Sequence, residues 1–228
     1  MATYFEDWSS DSTGAAPSSS RWTAYGFGAG GNWWTGKVEA PSGTKYIDFN
    51  DNGWGDALCG YYRTELGAYA PGGAEQIEFT CQFRFPSGQA TNCFGVRFGH
   101  YYFASSSGTV WWMNKDDGGG GYIAGSSAQS YTVTSNTWWW LRVRRSSSGV
   151  YTLWLWDASS SQGSALITSS ADTTFTSGEI GFYAKNYNSL PNVRAFGIGT
   201  SGDAAPTSAA SSGGVPKIMQ AHARRRRM

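Results

Sequence analysis

The sequence predicts an all-β protein, an antiparallel β-sandwich or barrel. Helical periodicity is nearly absent, and short aromatic and β-branched runs recur between Gly, Ser and Asn clusters. Glycines (31) and aromatics (12 Trp, 13 Tyr, 12 Phe) are spread through 228 residues. With 40% hydrophobic and 14% charged side chains the chain is too aromatic for disorder and too polar for membrane spans. A single sandwich of about 200 residues accounts for residues 1–200. A Ser/Ala/Gly linker over 201–214 and a basic tail over 215–228 follow.

Residues 45–49, 93–98, 101–104, 109–113, 131–134, 179–184 and 192–199 read as strands, separated by glycine-rich loops such as GFGAGGNWW and KDDGGGG. Residues 76–85 alternate cleanly. Ile77, Phe79, Cys81, Phe83 and Phe85 face one way, with Gln76, Glu78, Thr80, Gln82 and Arg84 opposite, as in a half-buried strand. TWWWLRVRR and VYTLWLWD flank a turn at Ser146 to Gly149 and read as a hairpin. Pairing Arg145 with Val150 across a four-residue turn puts Trp139, Leu141, Val143, Thr152, Trp154 and Trp156 on a core face. The same register puts Trp138, Trp140, Arg142, Arg144, Tyr151, Leu153 and Leu155 on an amphipathic face, either covered or open to a ligand.

The formal charge of +1 includes Lys217 and Arg224, Arg225, Arg226 and Arg227; without them 12 basic residues stand against 16 acidic ones, a body of −4. Such a body has no electrostatic reason to bind nucleic acid. Cys59, Cys81 and Cys93 are an odd set without zinc or disulfide spacing, which fits synthesis in a reducing compartment. MATYFEDWSSD lacks a basic region followed by an apolar run, so neither a secretory signal nor membrane insertion is expected.

Several segments together resemble the concanavalin A-like lectin/glucanase jelly rolls found in bacteriophage structural proteins. They are FEDW, the FGVRFG stretch at Phe94 to Gly99, the tryptophan-led hairpin, SGEIGFYAKN at Ser177 to Asn186, and VRAFGIGTSGDAAP at Val193 to Pro206. The resemblance spans residues 3 to 206. It implies a two-sheet antiparallel β-sandwich with a concave face on which, or at the loops around which, lectin-like members hold glycans, and a virion protein made in the host cytoplasm. It does not imply an enzyme, because the fold hosts binders and hydrolases alike.

Two enzymatic branches of this fold need particular residues. The glucanase pattern Glu-x-Asp-x-x-Glu, which sets two carboxylates across a glycosidic bond, is absent. A jelly-roll polysaccharide lyase needs a group to neutralise a uronate, a base and an acid. RTEL at Arg63 to Leu66 and FYAKNYN at Phe182 to Asn188 are similar to two lyase strands and offer Arg63, Tyr183 and Tyr187. The expected histidine is missing, since Glu78 follows Gln76 and Ile77, and His100 could substitute only by reaching the same face. The expected activity is therefore none, with the lyase as an alternative.

Tryptophan beside polar residues in loops is the arrangement that stacks on sugar C–H faces while amides and carboxylates bind hydroxyls. Trp33 and Trp34 after Asn32, Trp54 after Asp51 and Asn52, and Trp111 and Trp112 before Asn114 are the candidate carbohydrate-binding residues. Filling the sandwich core is the competing role for each ring. Asp116 and Asp117, with Asn114 nearby, offer oxygen ligands of the kind calcium takes but read first as a solvated turn, and Asp48, Asn50, Asp51 and Asn52 lack the spacing and closing Glu of an EF-hand loop, so no metal and no cofactor is expected. Ile218 and Met219 beside the four arginines read as a docking segment for other virion proteins. The expected function is a lectin-like virion protein, tail adhesin or capsid decoration, that binds a host-surface glycan and is open to homo-oligomerisation. A purely structural virion protein is the alternative outside enzymology.

Overall fold

The computed structural model describes residues 3–27, 36–48, 58–63, 66, 76–86, 93–106, 108–115, 121–185 and 191–208. In chain order the strands are β1 (Thr3–Glu6), β2 (Trp22–Phe27), β3 (Lys37–Glu39), β4 (Tyr46–Asp48), β5 (Leu58–Arg63), β6 (Ile77–Arg84), β7 (Cys93–Phe98) and β8 (Tyr101–Ser106). β9 (Val110–Lys115), β10 (Gly121–Tyr122), β11 (Gln129–Ser130), β12 (Trp139–Arg145), β13 (Val150–Asp157), β14 (Ile167–Ala171), β15 (Ile180–Lys185) and β16 (Asn192–Gly199) follow. The expected strand at 131–134 is not one; the chain pairs with β9 at β11 instead. Among the described residues no helix is long and apolar enough to cross a membrane.

Two antiparallel sheets result. One runs β14-β13-β12-β6-β16-β4-β3, with β1 also on β16; the other runs β10-β9-β8-β7-β15-β5-β2, with β11 also on β9. Aromatic rings join them. Phe83 of β6 meets Phe94 of β7 with centroids 4.8 Å apart, Phe196 of β16 meets Phe182 of β15 at 5.5 Å, and Tyr151 of β13 meets Tyr101 of β8 at 4.8 Å. Such pairs add to stability beyond the area they bury. One carboxylate also spans the layers: Glu6 of β1 accepts from Trp22 Nε1 at 3.1 Å, Arg21 Nε at 2.8 Å and Arg63 Nη1 at 3.2 Å.

The β12–β13 hairpin corrects the expected register. Arg145 pairs with Tyr151, not Val150. Ser146 N–H donates to the Val150 carbonyl, and Gly149 sits at φ +81°, so the turn has three residues, Ser147 to Gly149. A slip of one position turns β13 over. Tyr151, Leu153 and Leu155 are in the core, whereas Thr152, Trp154 and Trp156 join Trp140, Arg142 and Arg144 on the outer face.

The expected apolar face of β6 lies in the core, with Cys81 fully buried as a free thiol. Its other face is not half-open as expected: Glu78 and Thr80 are both completely buried. A strap from Asp203 to Pro206 covers them. Ala205 N–H donates to Glu78 Oε1 at 3.1 Å and Thr80 Oγ1 donates to the Pro206 carbonyl at 2.8 Å. The strap fits because Gly197 and Gly199 of β16 lie beneath it, and a Cβ on either would collide with its backbone. Asp203 to Pro206, expected within a free linker, are thus packed on the sheet.

Candidate functional site

Antiparallel pairing arranges the outer face of the β1-containing sheet as three cross-strand rows. The lowest is Thr152, Arg144, Glu78, Gly199 and Thr3; the next is Trp154, Arg142, Thr80, Gly197 and Phe5. The third is Trp156, Trp140, Gln82 and Ala195. The strap lies over the glycine ends of the first two rows and leaves the third beside a cleft of about 740 Å³. Its floor is Phe5, Trp140, Gln82 and Ala195; Asp7, Lys45 and Arg194 stand on its rim, and Thr207 and Ser208 bound it where the strap ends.

Each floor residue is placed by a packing or pairing requirement. Trp140 and Trp156 are adjacent in register, and their rings lie 6.2 Å apart at 18°. With Ala195, Phe5 and Trp154 they form a second hydrophobic cluster outside the main core. Gln82 is on the polar side of β6 by alternation. Arg194 comes from a β-bulge, the register shift between Val193 and Ala195 that leaves it without a partner on β6. Its guanidinium lies 5.6 Å from the centre of the Trp138 ring.

Charge on this face is graded. Glu78 lies 2.6 Å from Arg144 Nε and 3.2 Å from Arg142 Nε, and those two arginines stack over Trp154 and Trp156. Arg84 sits over Trp138 and donates to Asn192 Oδ1 at 2.7 Å. On the rim, Lys45 Nζ donates to the Ser9 and Asp11 carbonyls at 3.0 and 2.5 Å. Burial would raise the pKa of Asp7, but hydrogen bonds from Ser9, aided by Lys45, outweigh it and hold the carboxyl below its ordinary value. The cleft therefore combines an apolar ring floor with an amide, an ionised carboxylate and two cations.

The sequence candidates are distributed differently. Trp111 is completely buried in the core, its Nε1 donating to the Tyr131 carbonyl at 3.0 Å, and so is withdrawn as a stacking platform. Trp112 and Asn114, two residues apart, share the outer face of the other sheet, with Tyr102 opposite Asn114. Trp33, Trp34, Asp51, Asn52 and Trp54 lie outside the described residues, as do Asp116, Asp117, Ile218, Met219 and Arg224 to Arg227. Of the lyase candidates, Arg63 points between the sheets to Glu6 and Trp22, whereas Tyr183 lies on the opposite side of its sheet against Tyr102. His100 is exposed and stacks on Phe175 at 4.7 Å, and Tyr187 is outside the described residues. Among the described residues no three His, Cys, Asp or Glu side chains gather as a metal site.

Phe5, Asp7, Lys45, Gln82 and Arg194 went unnoticed as site residues in the sequence. The amphipathic face named for the hairpin was the available signal, and Trp140 was on it.

No protein-family model matches the chain, and no curated protein matches it. Solved structures do. A protein of unknown function from Shewanella oneidensis MR-1 superimposes with a TM-score of 0.61 at 13% identity, over 87% of this chain and 85% of its own. Lectin II from Ulex europaeus gives 0.59 at 8% identity, over 88% and 98%. The exoplasmic/lumenal domain of VIP36, in its calcium- and mannose-bound form, gives 0.53 at 8% identity, over 78% and 82%. The fold is a lectin-like jelly roll. Identities this low establish the architecture and no more.

Proposed function

We propose that this protein is a non-catalytic, lectin-like carbohydrate-binding module that takes a saccharide in the cleft beside Trp140. The observation that carries this reading is the cleft beside the third row, where Trp140 and Phe5 line the floor alongside Gln82 and Asp7, so that ring faces and polar partners for hydroxyls stand together. The likeness to a plant lectin also solved with galactose supports it at the level of the fold. The sequence resemblance to bacteriophage jelly rolls supports display on a virion, as a tail adhesin or capsid decoration held through residues 215–228.

The test is a glycan array followed by titration calorimetry on the hits, for wild type, Trp140→Ala and Gln82→Ala. Binding lost in Trp140→Ala and weakened about tenfold in Gln82→Ala, one hydrogen bond to a bound hydroxyl, is the expected result. An array silent for the wild type, or binding untouched by both substitutions, overturns the reading. Removal of residues 209–228 is expected to abolish incorporation into phage particles while leaving glycan affinity unchanged.

A further inference from the structure

Resting on the reading above, we infer that the cleft selects acidic saccharides, with Arg194 receiving the carboxylate of a uronate or sialate. The bulge in β16 lifts Arg194 out of the ladder and sets it on the cleft rim. There its guanidinium is steadied on the Trp138 ring, 5.6 Å from the centroid, and among the described residues no carboxylate or carbonyl accepts from it. The other arginines of this face are engaged: Arg142 and Arg144 with Glu78, and Arg84 with the Asn192 side chain. Arg194 is thus a pre-positioned fork of N–H donors whose natural complement is a planar, bidentate carboxylate.

Lys45 strengthens the selection. Its ammonium has three donors, two of which go to neutral carbonyls, so its charge is not cancelled by those bonds. Among the described residues Asp7 is the one acidic side chain lining the cleft, and hydrogen bonds from Ser9, aided by Lys45, hold it ionised. The lining therefore carries one positive charge in excess. A neutral sugar would use the floor and Gln82 and leave Arg194 to water, whereas an acidic sugar would use both.

The experiment compares matched pairs on the full chain: oligogalacturonate and oligoglucuronate against the same oligomers with carboxyls reduced to alcohols, and sialyllactose against lactose. Titrations are run for wild type, Arg194→Gln and Trp140→Ala. At least one acidic member should bind wild type about tenfold or more tighter than its neutral partner, the worth of one charge-assisted contact. Raising the salt concentration should shrink that preference. Arg194→Gln should reduce it to near parity, and Trp140→Ala should abolish binding of both partners. Neutral and acidic partners that bind equally, with Trp140 still required, overturn the acidic preference and leave the carbohydrate reading standing. Acidic binding that survives Arg194→Gln or Trp140→Ala overturns it too, by assigning the attraction to another part of the chain. Silence of every pair overturns both.

Discussion

Gly197 lies so close beneath the Pro206 carbonyl that no Cβ fits between them, and Thr80 Oγ1 donates to the same oxygen at 2.8 Å. The strap is therefore seated on a bare stretch of β16. Gly197→Ala should cost about 1–3 kcal/mol, the usual range for overpacking. Urea denaturation measures the loss. Limited proteolysis should show faster cleavage near Pro206, and an unchanged cleavage rate would contradict the seating.

Glu78 is completely buried between Arg142, Arg144 and the Ala205 N–H. Glu78→Gln leaves two arginines facing an uncharged amide, and about 3 kcal/mol of stability should be lost, as when a buried pair loses one partner. Equilibrium unfolding of the variant against wild type checks the magnitude.

Stability should fall at both extremes of pH through Asp172 and Tyr101. Asp172 Oδ1 accepts from Tyr101 Oη at 2.7 Å and from Thr174 N–H at 3.0 Å, and Oδ2 lies 3.1 Å from Lys115 Nζ. Burial acts to raise its pKa, but those partners outweigh it and bring the value down to about 2. Burial above all, with the carboxylate adding to it, pushes Tyr101 up to about 12. In an unfolded chain the two groups titrate near 3.9 and 10. Between about 4 and 2 the unfolded state binds the extra proton, so stability drops as pH falls; between about 10 and 12 the native state holds it, so stability drops as pH rises. Urea midpoints across pH should show both limbs, and Asp172→Asn should flatten the acid one.

Trp111→Phe separates core from ligand surface. It removes the Nε1–H bond to the Tyr131 carbonyl and part of a buried ring, at a cost of about 2 kcal/mol. Glycan affinity should be unchanged, and a binding defect without a stability defect would reverse the assignment.

Much of the architecture is legible without coordinates. The alternation of β6 and the bounds of β7 and β16 follow directly from the residues. Trp111 and Trp112 were also separable, because Met113 sides with the first and Asn114 with the second in a strict two-residue repeat. What failed was β13, whose facing depends on whether the hairpin turn has three residues or four. That choice rests on the left-handed conformation of Gly149, which the string SSSG does not declare. The cleft was hidden for a different reason. Phe5, Lys45, Gln82, Trp140, Arg194 and Thr207 come from six separate segments, and no local spacing joins them.

The position of β16 has a consequence for synthesis on the ribosome. Among the described strands it is the last made, yet it stands between β6 and β4 and also carries β1. Until it exists, β1 has no partner strand and the β3–β4 pair has nothing to attach it to its sheet. Nascent chains stalled before residue 192 should therefore hold β1 unpaired and the β3–β4 pair detached, so this edge of the sheet assembles only after β16 has left the ribosome.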